Sequence, residues 1–410
     1  MESYFEGDQR LGAKQVPIYL TVLFVVYLFL SFFEAYLTTF IGTNTRYLIF
    51  LIAVLFLFHH QWRVRKTAYM LFFVLWFLLK TISIAWSSGV STDVSRLFAS
   101  QIGAILLLLA LCGHVHDRRF LRMIILSNYW FSFLFGLLSI GFHQSFKSDV
   151  FVARQVLTLF GQQNDPNNCA AYLAIGLAIA AYSLASEKRM KVLNIIVVAV
   201  NAYGIMLTAS RTGFLLMACI VVVLVLMPNK NDRFVLGAFV RRLVMVTVVF
   251  VISAYLIDRY LPEASLNRML AFDEYSGGSG RDEKWTKAIA LIRQRPLFGW
   301  GWGGYKVGAG VVHNTLLTML CDVGFVGTSL FVIPLVILSS GLIKNKYQLA
   351  LLLLVAGIFP ALAIDSINKR YFWNAIIIPI MMLESYQVGE EMVAVWPEKG
   401  SARSLIGGGS

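Results

Sequence analysis

The chain is a succession of apolar runs, each close to the thickness of a bilayer, separated by short polar segments. A helix needs about 20 mostly apolar residues to cross the hydrocarbon core. Stretches such as Ile220–Met227 and Leu349–Val355 hold no polar side chain at all. Such runs exclude a transmembrane β-barrel, whose strands alternate apolar and polar over about ten residues. They also exclude an ordinary soluble enzyme. Of 410 residues, 58% are hydrophobic and 14% charged, with a mean hydropathy of +0.71, against roughly 25% charged in an average soluble domain. Disorder needs the opposite balance. The composition leaves an all-α polytopic membrane protein.

Twelve spans can be read: Pro17–Phe33, Thr43–Phe58, Thr67–Trp86, Leu97–Cys112, Phe120–Phe142, Asn168–Leu184, Val192–Thr208, Thr212–Met227, Leu243–Ile257, Thr315–Ser339, Leu349–Ile364 and Tyr371–Tyr386. The second and ninth are short. No small-residue cleavage pattern follows the first span, so it reads as one more helix rather than a leader. The chain therefore divides into spans one to nine (1–257), a long loop (258–312), spans ten to twelve (313–390) and a tail (391–410) whose Gly407–Ser410 looks like an appended linker. The cysteines Cys112, Cys169, Cys219 and Cys321 lie in or beside spans without C-x-x-C spacing, which supports neither a zinc site nor a disulfide framework.

Charge orients the spans. Lys and Arg outnumber Asp and Glu by 35 to 22, and the surplus gathers in clusters between spans. With the N-terminus in the cytoplasm, Arg63, Arg65 and Lys66, then Arg118, Arg119 and Arg122, then Lys188, Arg189 and Lys191, and also Arg241 and Arg242, all fall on that side. The other side holds scattered cations such as Arg46, Arg96, Lys147 and Arg154. This is the positive-inside pattern and places both termini in the cytoplasm. The long loop breaks it. It faces outward yet carries Arg259, Arg268, Arg281, Lys284, Lys287, Arg293, Arg295 and Lys306. Those charges either serve something anionic outside, or form a solvated face balanced by neighbours such as Asp282 and Glu283.

Within that loop, Trp285, Ala288, Ile289 and Ile292 recur at helical spacing, predicting a helix over Lys284–Gln294 that Pro296 stops and that lies along the membrane interface. Glycines at 299, 301, 303, 304, 308 and 310 interleave with Trp300, Trp302 and Tyr305. Those aromatics suit either stacking on sugar rings or interfacial anchoring.

Chemistry concentrates at a few places. His313 precedes the tenth span, and histidine, with an ordinary pKa of about 6.5, suits general-base work; a membrane-interface histidine is the alternative. Arg211, in a hairpin too short to be a soluble loop, and Arg281, after the flexible run Ser276–Gly280, each present a fork of donors suited to phosphate. Headgroup snorkelling is the alternative for Arg211. Asp165 and Asn167 open the sixth span, and Asn167 is expected to cap that helix.

His313-Asn314, nine residues, then Gly324-x-x-Gly327 resembles the H-[NSQ]-x9-G-x-x-[GTY] signature of bacterial O-antigen ligases of the WaaL type. Ser279-Gly280-Arg281…Trp285…Pro296-Leu297-x-Gly299-x-Gly301, Ser210-Arg211-Thr212-Gly213 and Asp165-Pro166-Asn167 look like the wider ligase and polymerase superfamily. The likeness runs from about residue 155 to 375. It implies a GT-C-like glycosyltransferase of the bacterial inner membrane with its active site on the periplasmic side. The reaction is inverting and uses no metal or other cofactor. The donor is a glycan on undecaprenyl diphosphate, and a ligase's acceptor is a hydroxyl of lipid A–core oligosaccharide. On this resemblance His313, Arg281 and Arg211 are catalytic. Asn314, Asp165, Asn167, Arg154, Lys284 and Trp285 bind substrate. A polymerase joining lipid-linked repeats is the alternative. A polyprenyl-sugar transporter would place ionisable residues at mid-membrane, where only Lys80 and Asp322 fall.

Overall fold

The computed structural model describes residues 16–41, 45–59, 68–88, 93–114, 117–147, 154–186, 190–227 and 281–387, with isolated positions between 240 and 259. Its helices in chain order are α1 (Ile18–Ile41), α2 (Thr45–Leu57), α3 (Ala68–Ile82), α4 (Asp93–Cys112), α5 (Arg118–Gly141), α6 (Pro166–Ser186), α7 (Lys191–Leu207) and α8 (Arg211–Leu226). Then follow α9 (Arg281–Gln294), the short α10 (Lys306–Ala309), α11 (Thr315–Lys344), α12 (Gln348–Ile358) and α13 (Arg370–Gln387). A 3₁₀ turn over Ser83–Trp86 extends α3, and another over Phe359–Leu362 extends α12.

Eleven of the twelve expected spans coincide with helices, because long apolar runs have no other way to satisfy backbone N–H and C=O groups in lipid. The ninth, Leu243–Ile257, lies outside the described residues, as does the glycine run before Arg281. Among the described residues, five helices are long and apolar enough to cross a membrane: Ile18–Leu37, Ala68–Trp86, Arg118–Gly141, Pro166–Ser186 and Thr315–Lys344. The other apolar helices are shorter. The result is an all-α membrane protein.

One element departs from that class. Between α5 and α6 the chain forms a small antiparallel sheet, β1 (His143–Ser145), β2 (Gln155–Leu159) and β3 (Gln162–Gln163), in the order β1-β2-β3. Its strands are too short and too polar at the edges to show in a hydropathy reading, although Val156 and Leu157 are buried beneath it.

The core is a ring of aromatics. Phe24, Phe56 and Phe120 interlock where α1, α2 and α5 meet, and Trp76, Phe331 and Trp373 do so where α3, α11 and α13 meet. Small residues bring α5, α6 and α7 together. A Cβ on Gly176 would collide with Ser132, and one on Gly136 would stand 2.8 Å from Val200. Since lipid tails are as apolar as these side chains, such close approach and its dispersion contacts hold the bundle.

α11 is broken. Gly324 has φ 63° and ψ −165° within it, a conformation open mainly to glycine. In a continuous helix Phe325 N–H would donate to Cys321 O, and Val326 N–H to Asp322 O. Here Phe325 N donates to Pro296 O at 2.7 Å and Val326 N to Leu297 O at 3.1 Å, while Cys321 O accepts from Trp300 N at 2.8 Å and Asp322 O from Gly301 N at 2.9 Å. The segment 296–301 is thus threaded into the break and satisfies all four freed groups. Gly324 therefore serves this break. Gly327 lets Val323 and the α3 residue Leu79 approach.

Candidate functional site

Four helix starts meet at one end of the bundle. At the first, Asp165 caps α6: its Oδ1 accepts from Asn167 N at 2.9 Å and Asn168 N at 3.3 Å. This corrects the expectation that Asn167 is the cap. Pro166 takes the first helical position, so the residue before it is the one whose side chain reaches the free N–H groups. Asn167 instead bridges. Its Nδ2 donates to Asp165 Oδ1 at 3.1 Å, and its Oδ1 accepts from Ser210 Oγ at 2.7 Å.

Ser210 in turn caps α8, its Oγ accepting from Gly213 N at 3.1 Å. Arg211 is the first residue of α8 and is half-buried. The Asp-Pro-Asn and Ser-Arg-Thr-Gly motifs are therefore one hydrogen-bonded unit, which sets Arg211 beside the start of α6.

The third start is α9. It begins at Arg281, three residues before the periodicity suggests, with Asp282 and Glu283 exposed in its first turn, where acidic side chains complement the helix dipole. Its buried face is Ala288 and Ile292, which pack on Tyr305, Ala309, Val312 and Cys321; Ile289 is exposed. That face of the helix packs on protein. Trp285 Nε1 donates to Val312 O at 2.9 Å and Trp300 Nε1 to Leu291 O at 2.9 Å. Trp285, expected at the substrate, uses its polar edge to hold α9 against the strand-like segment that leads to His313.

Trp302 and Tyr305 also depart from expectation. Both are buried, at 1% and 2% exposure. They offer no face to a sugar or to the membrane interface. Trp302 packs under Lys80, whose Nζ stands 4.9 Å from its ring centroid. Periodicity could not show this, because the burial comes from the threading of the loop into α11.

The fourth start is α11. Asn314 is its cap, Oδ1 accepting from Leu317 N at 3.0 Å, and Nδ2 donating to Leu362 O at 2.8 Å. Thr315 Oγ1 donates to Ile364 O at 2.9 Å and accepts from Ser366 N at 2.8 Å. These bonds lay the segment 362–366 along the start of α11 and bring Asp365 to the site. Its Oδ1 is buried with no hydrogen-bond partner among the described residues. Sequence reading did not select Asp365. Its one signal is an acidic residue just past an apolar span, on the same side as His313.

His313 itself is half-buried with φ 55°, a left-handed conformation unusual for a residue with a Cβ. Partial burial depresses its pKa below the ordinary histidine value. Arg281 and Lys284 add to that depression, while Asp165 and Asp365 oppose it. Residues from α9, the α6 cap and the 362–366 segment thus converge on one imidazole, which is neutral near pH 7. A half-buried imidazole whose pKa is lowered in part by two cations can accept a proton beside an anionic ligand. Arg154 immediately precedes β2, its backbone O accepting from Phe146 N at 2.8 Å, and is half-buried.

Residues 195–332 match the family model described as O-Antigen ligase. The match takes in Arg211, Arg281, Lys284, Trp285, His313, Asn314 and the Gly324 break. No curated protein matches the chain.

Proposed function

Starting from the O-antigen ligase-type domain at residues 195–332, we propose that this chain is an O-antigen ligase, transferring a glycan from undecaprenyl diphosphate to a hydroxyl of lipid A–core oligosaccharide at the periplasmic face of the inner membrane. The observation that carries the reading is the setting of His313. It is half-buried, neutral, and placed among Arg281, Lys284, Asp165 and Asp365.

The acceptor hydroxyl oxygen attacks the anomeric carbon from the face opposite the diphosphate, so the configuration inverts. As the new C–O bond forms, the bond from that carbon to the phosphate oxygen breaks, and the electron pair leaves on the diphosphate. The hydroxyl proton passes to a nitrogen of His313. General-base help of this kind contributes about 10²–10⁴-fold. Arg211 and Arg281 bind the diphosphate as its charge grows. A preorganised donor of this type is worth roughly 3–4 kcal/mol. Lys284 adds charge next to Arg281. Asn314 holds the start of α11 in place and so sets the position of His313.

The test is a lipopolysaccharide gel of a strain lacking the protein, complemented with wild type or with His313→Ala. Bare core with accumulating lipid-linked polymer, restored only by the wild type, supports a ligase. Core carrying a single repeat assigns polymerisation instead. A full ladder without the protein overturns both.

A further inference from the structure

Two ionisable groups lie below the four helix starts, within the apolar part of the bundle, with Asp322 about two turns into α11. Lys80 on α3 and Asp322 on α11 form an ion pair with Nζ–Oδ2 3.2 Å, their side chains 1% and 3% exposed. A buried ion pair is weak evidence for stability, and in hydrocarbon it is costly to keep. This one has further partners. Asp322 Oδ1 accepts from Gly303 N at 2.8 Å. The Lys80 ammonium lies over the rings of both Trp76 and Trp302. Trp302 N donates to Ser83 Oγ at 3.0 Å, and Trp302 O accepts from Ser87 Oγ at 3.0 Å.

Apart from the ion pair itself and the Trp76 contact, these interactions end on Trp302 and Gly303, in the segment that follows the stretch threaded into α11. That segment leads directly to Tyr305, which packs under α9, and Trp300 bonds the last turn of α9. α9 carries Arg281 and Lys284 at its other end.

We propose that Lys80 and Asp322 are positioning residues. Their ion pair seats the 299–305 insert between α3 and the broken α11, and the insert holds α9 so that Arg281 and Lys284 stand at His313. The pair belongs to the glycosyl-transfer site and not to a mid-membrane transport path. This last step rests on the proposed function; the seating itself does not.

Cys321 reports the seating without any assay of transfer. It is fully buried beneath α9, with Sγ donating to Ala288 O at 3.7 Å. Cys169, also buried, lies on α6 outside the insert and serves as the control. The full-length protein in lipid nanodiscs is treated with a water-soluble maleimide, and labelling at each cysteine is read by peptide mass spectrometry. Lys80→Met leaves Asp322 buried without its cationic partner. Labelling of Cys321 is expected to rise by about tenfold or more through local opening, with Cys169 still protected. If both cysteines react, the variant has unfolded globally. The milder Asp322→Asn, which keeps an acceptor for Gly303, is then read in the same way. Cys321 protected as in wild type in either folded variant overturns the seating.

Transfer gives the second readout. With α9 displaced, the cations that depress the His313 pKa withdraw. The acid limb of kcat/KM then moves up toward the ordinary histidine value, which a mere loss of folded protein does not cause. A wild type without an acid limb refutes His313 as base and leaves the seating standing. A wild-type limb that stays put in variants with exposed Cys321 overturns the positioning role.

Discussion

Ser210 and Asn167, 43 positions apart, share a buried hydrogen bond of 2.7 Å from hydroxyl to amide oxygen. It is the point at which two separate motifs become one site. Ser210 is at once the cap of α8 and the donor to Asn167, and Asn167 is at once part of the first turn of α6 and the donor to Asp165. Arg211 and Asp165 are therefore held relative to each other by side chains that need not touch a substrate.

Ser210→Ala removes both functions of that hydroxyl. The lost cap costs about 1 kcal/mol, and the Asn167 Oδ1 left buried without a donor costs about 1–3 kcal/mol more. The expected outcome is a lower unfolding temperature and a reduced kcat, with Ser210→Thr recovering most of both. Thermal unfolding beside a purified transfer assay checks this. Full stability with Ala would show that water replaces the hydroxyl.

Gly324 and Gly310 make a controlled pair. Both have positive φ, 63° and 64°, but a Cβ on Gly324 would collide with the Leu297 carbonyl, whereas Gly310 has nothing within 4 Å. Gly310→Ala bears the backbone penalty alone, about 1–3 kcal/mol at φ 64° and ψ −152°. Gly324→Ala must also expel the inserted segment from α11, which releases α9. Gly310→Ala is expected to keep transfer and Gly324→Ala to abolish it at comparable membrane levels. Equal activity in the two would show that the insertion is dispensable.

Much of this architecture is legible in the amino-acid order, and the reason is physical. Apolar runs in lipid have one backbone solution, so eleven spans appear as helices, most within a few residues of their expected limits, although α1 runs on to Ile41, eight residues past the expected Phe33. His313 stands at the edge of such a run, and Arg281 and Lys284 begin the helix that the spacing of Trp285, Ala288 and Ile292 predicts. What escaped reading depends on threading. Trp302 and Tyr305 look like interfacial aromatics until the segment before them enters the break in α11. Lys80 and Asp322 look like an isolated mid-membrane pair until the same segment reaches them. Asp365 becomes part of the site only because Thr315 and Asn314 bind the chain on either side of it. Contacts of this kind have no local periodicity to reveal them.

Arg211→Lys separates charge from geometry. If the guanidinium grips a diphosphate with two parallel donors, lysine keeps the charge and loses the fork. A loss of roughly 10²–10³-fold in kcat, the size expected when one preorganised donor is removed, is expected with little change in folding, because the Ser210–Asn167 bond that ties α8 to α6 is kept. Single-turnover kinetics with a lipid-linked donor measure it. Near-normal turnover with lysine would leave Arg211 as a headgroup anchor.

The pH profile tests the site as an electrostatic unit. His313 has its pKa lowered first by burial, then by Arg281 and Lys284. As a base it works when neutral, so kcat/KM should stay flat from pH 7 to below the ordinary histidine value of about 6.5 and then fall as the pH drops through the lowered pKa. The folded state binds fewer protons than the unfolded state between those two values. Stability therefore declines as pH falls through that window and is fully present above it. Two substitutions should move the acid limb in opposite directions. Arg281→Gln withdraws a cation, and the limb rises. Asp365→Asn withdraws an opposing carboxylate, and the limb falls further. Both shifts are read on the residual activity of each variant, independently of how much rate it has lost. Limbs that move together, or not at all, would place the titrating base somewhere other than His313.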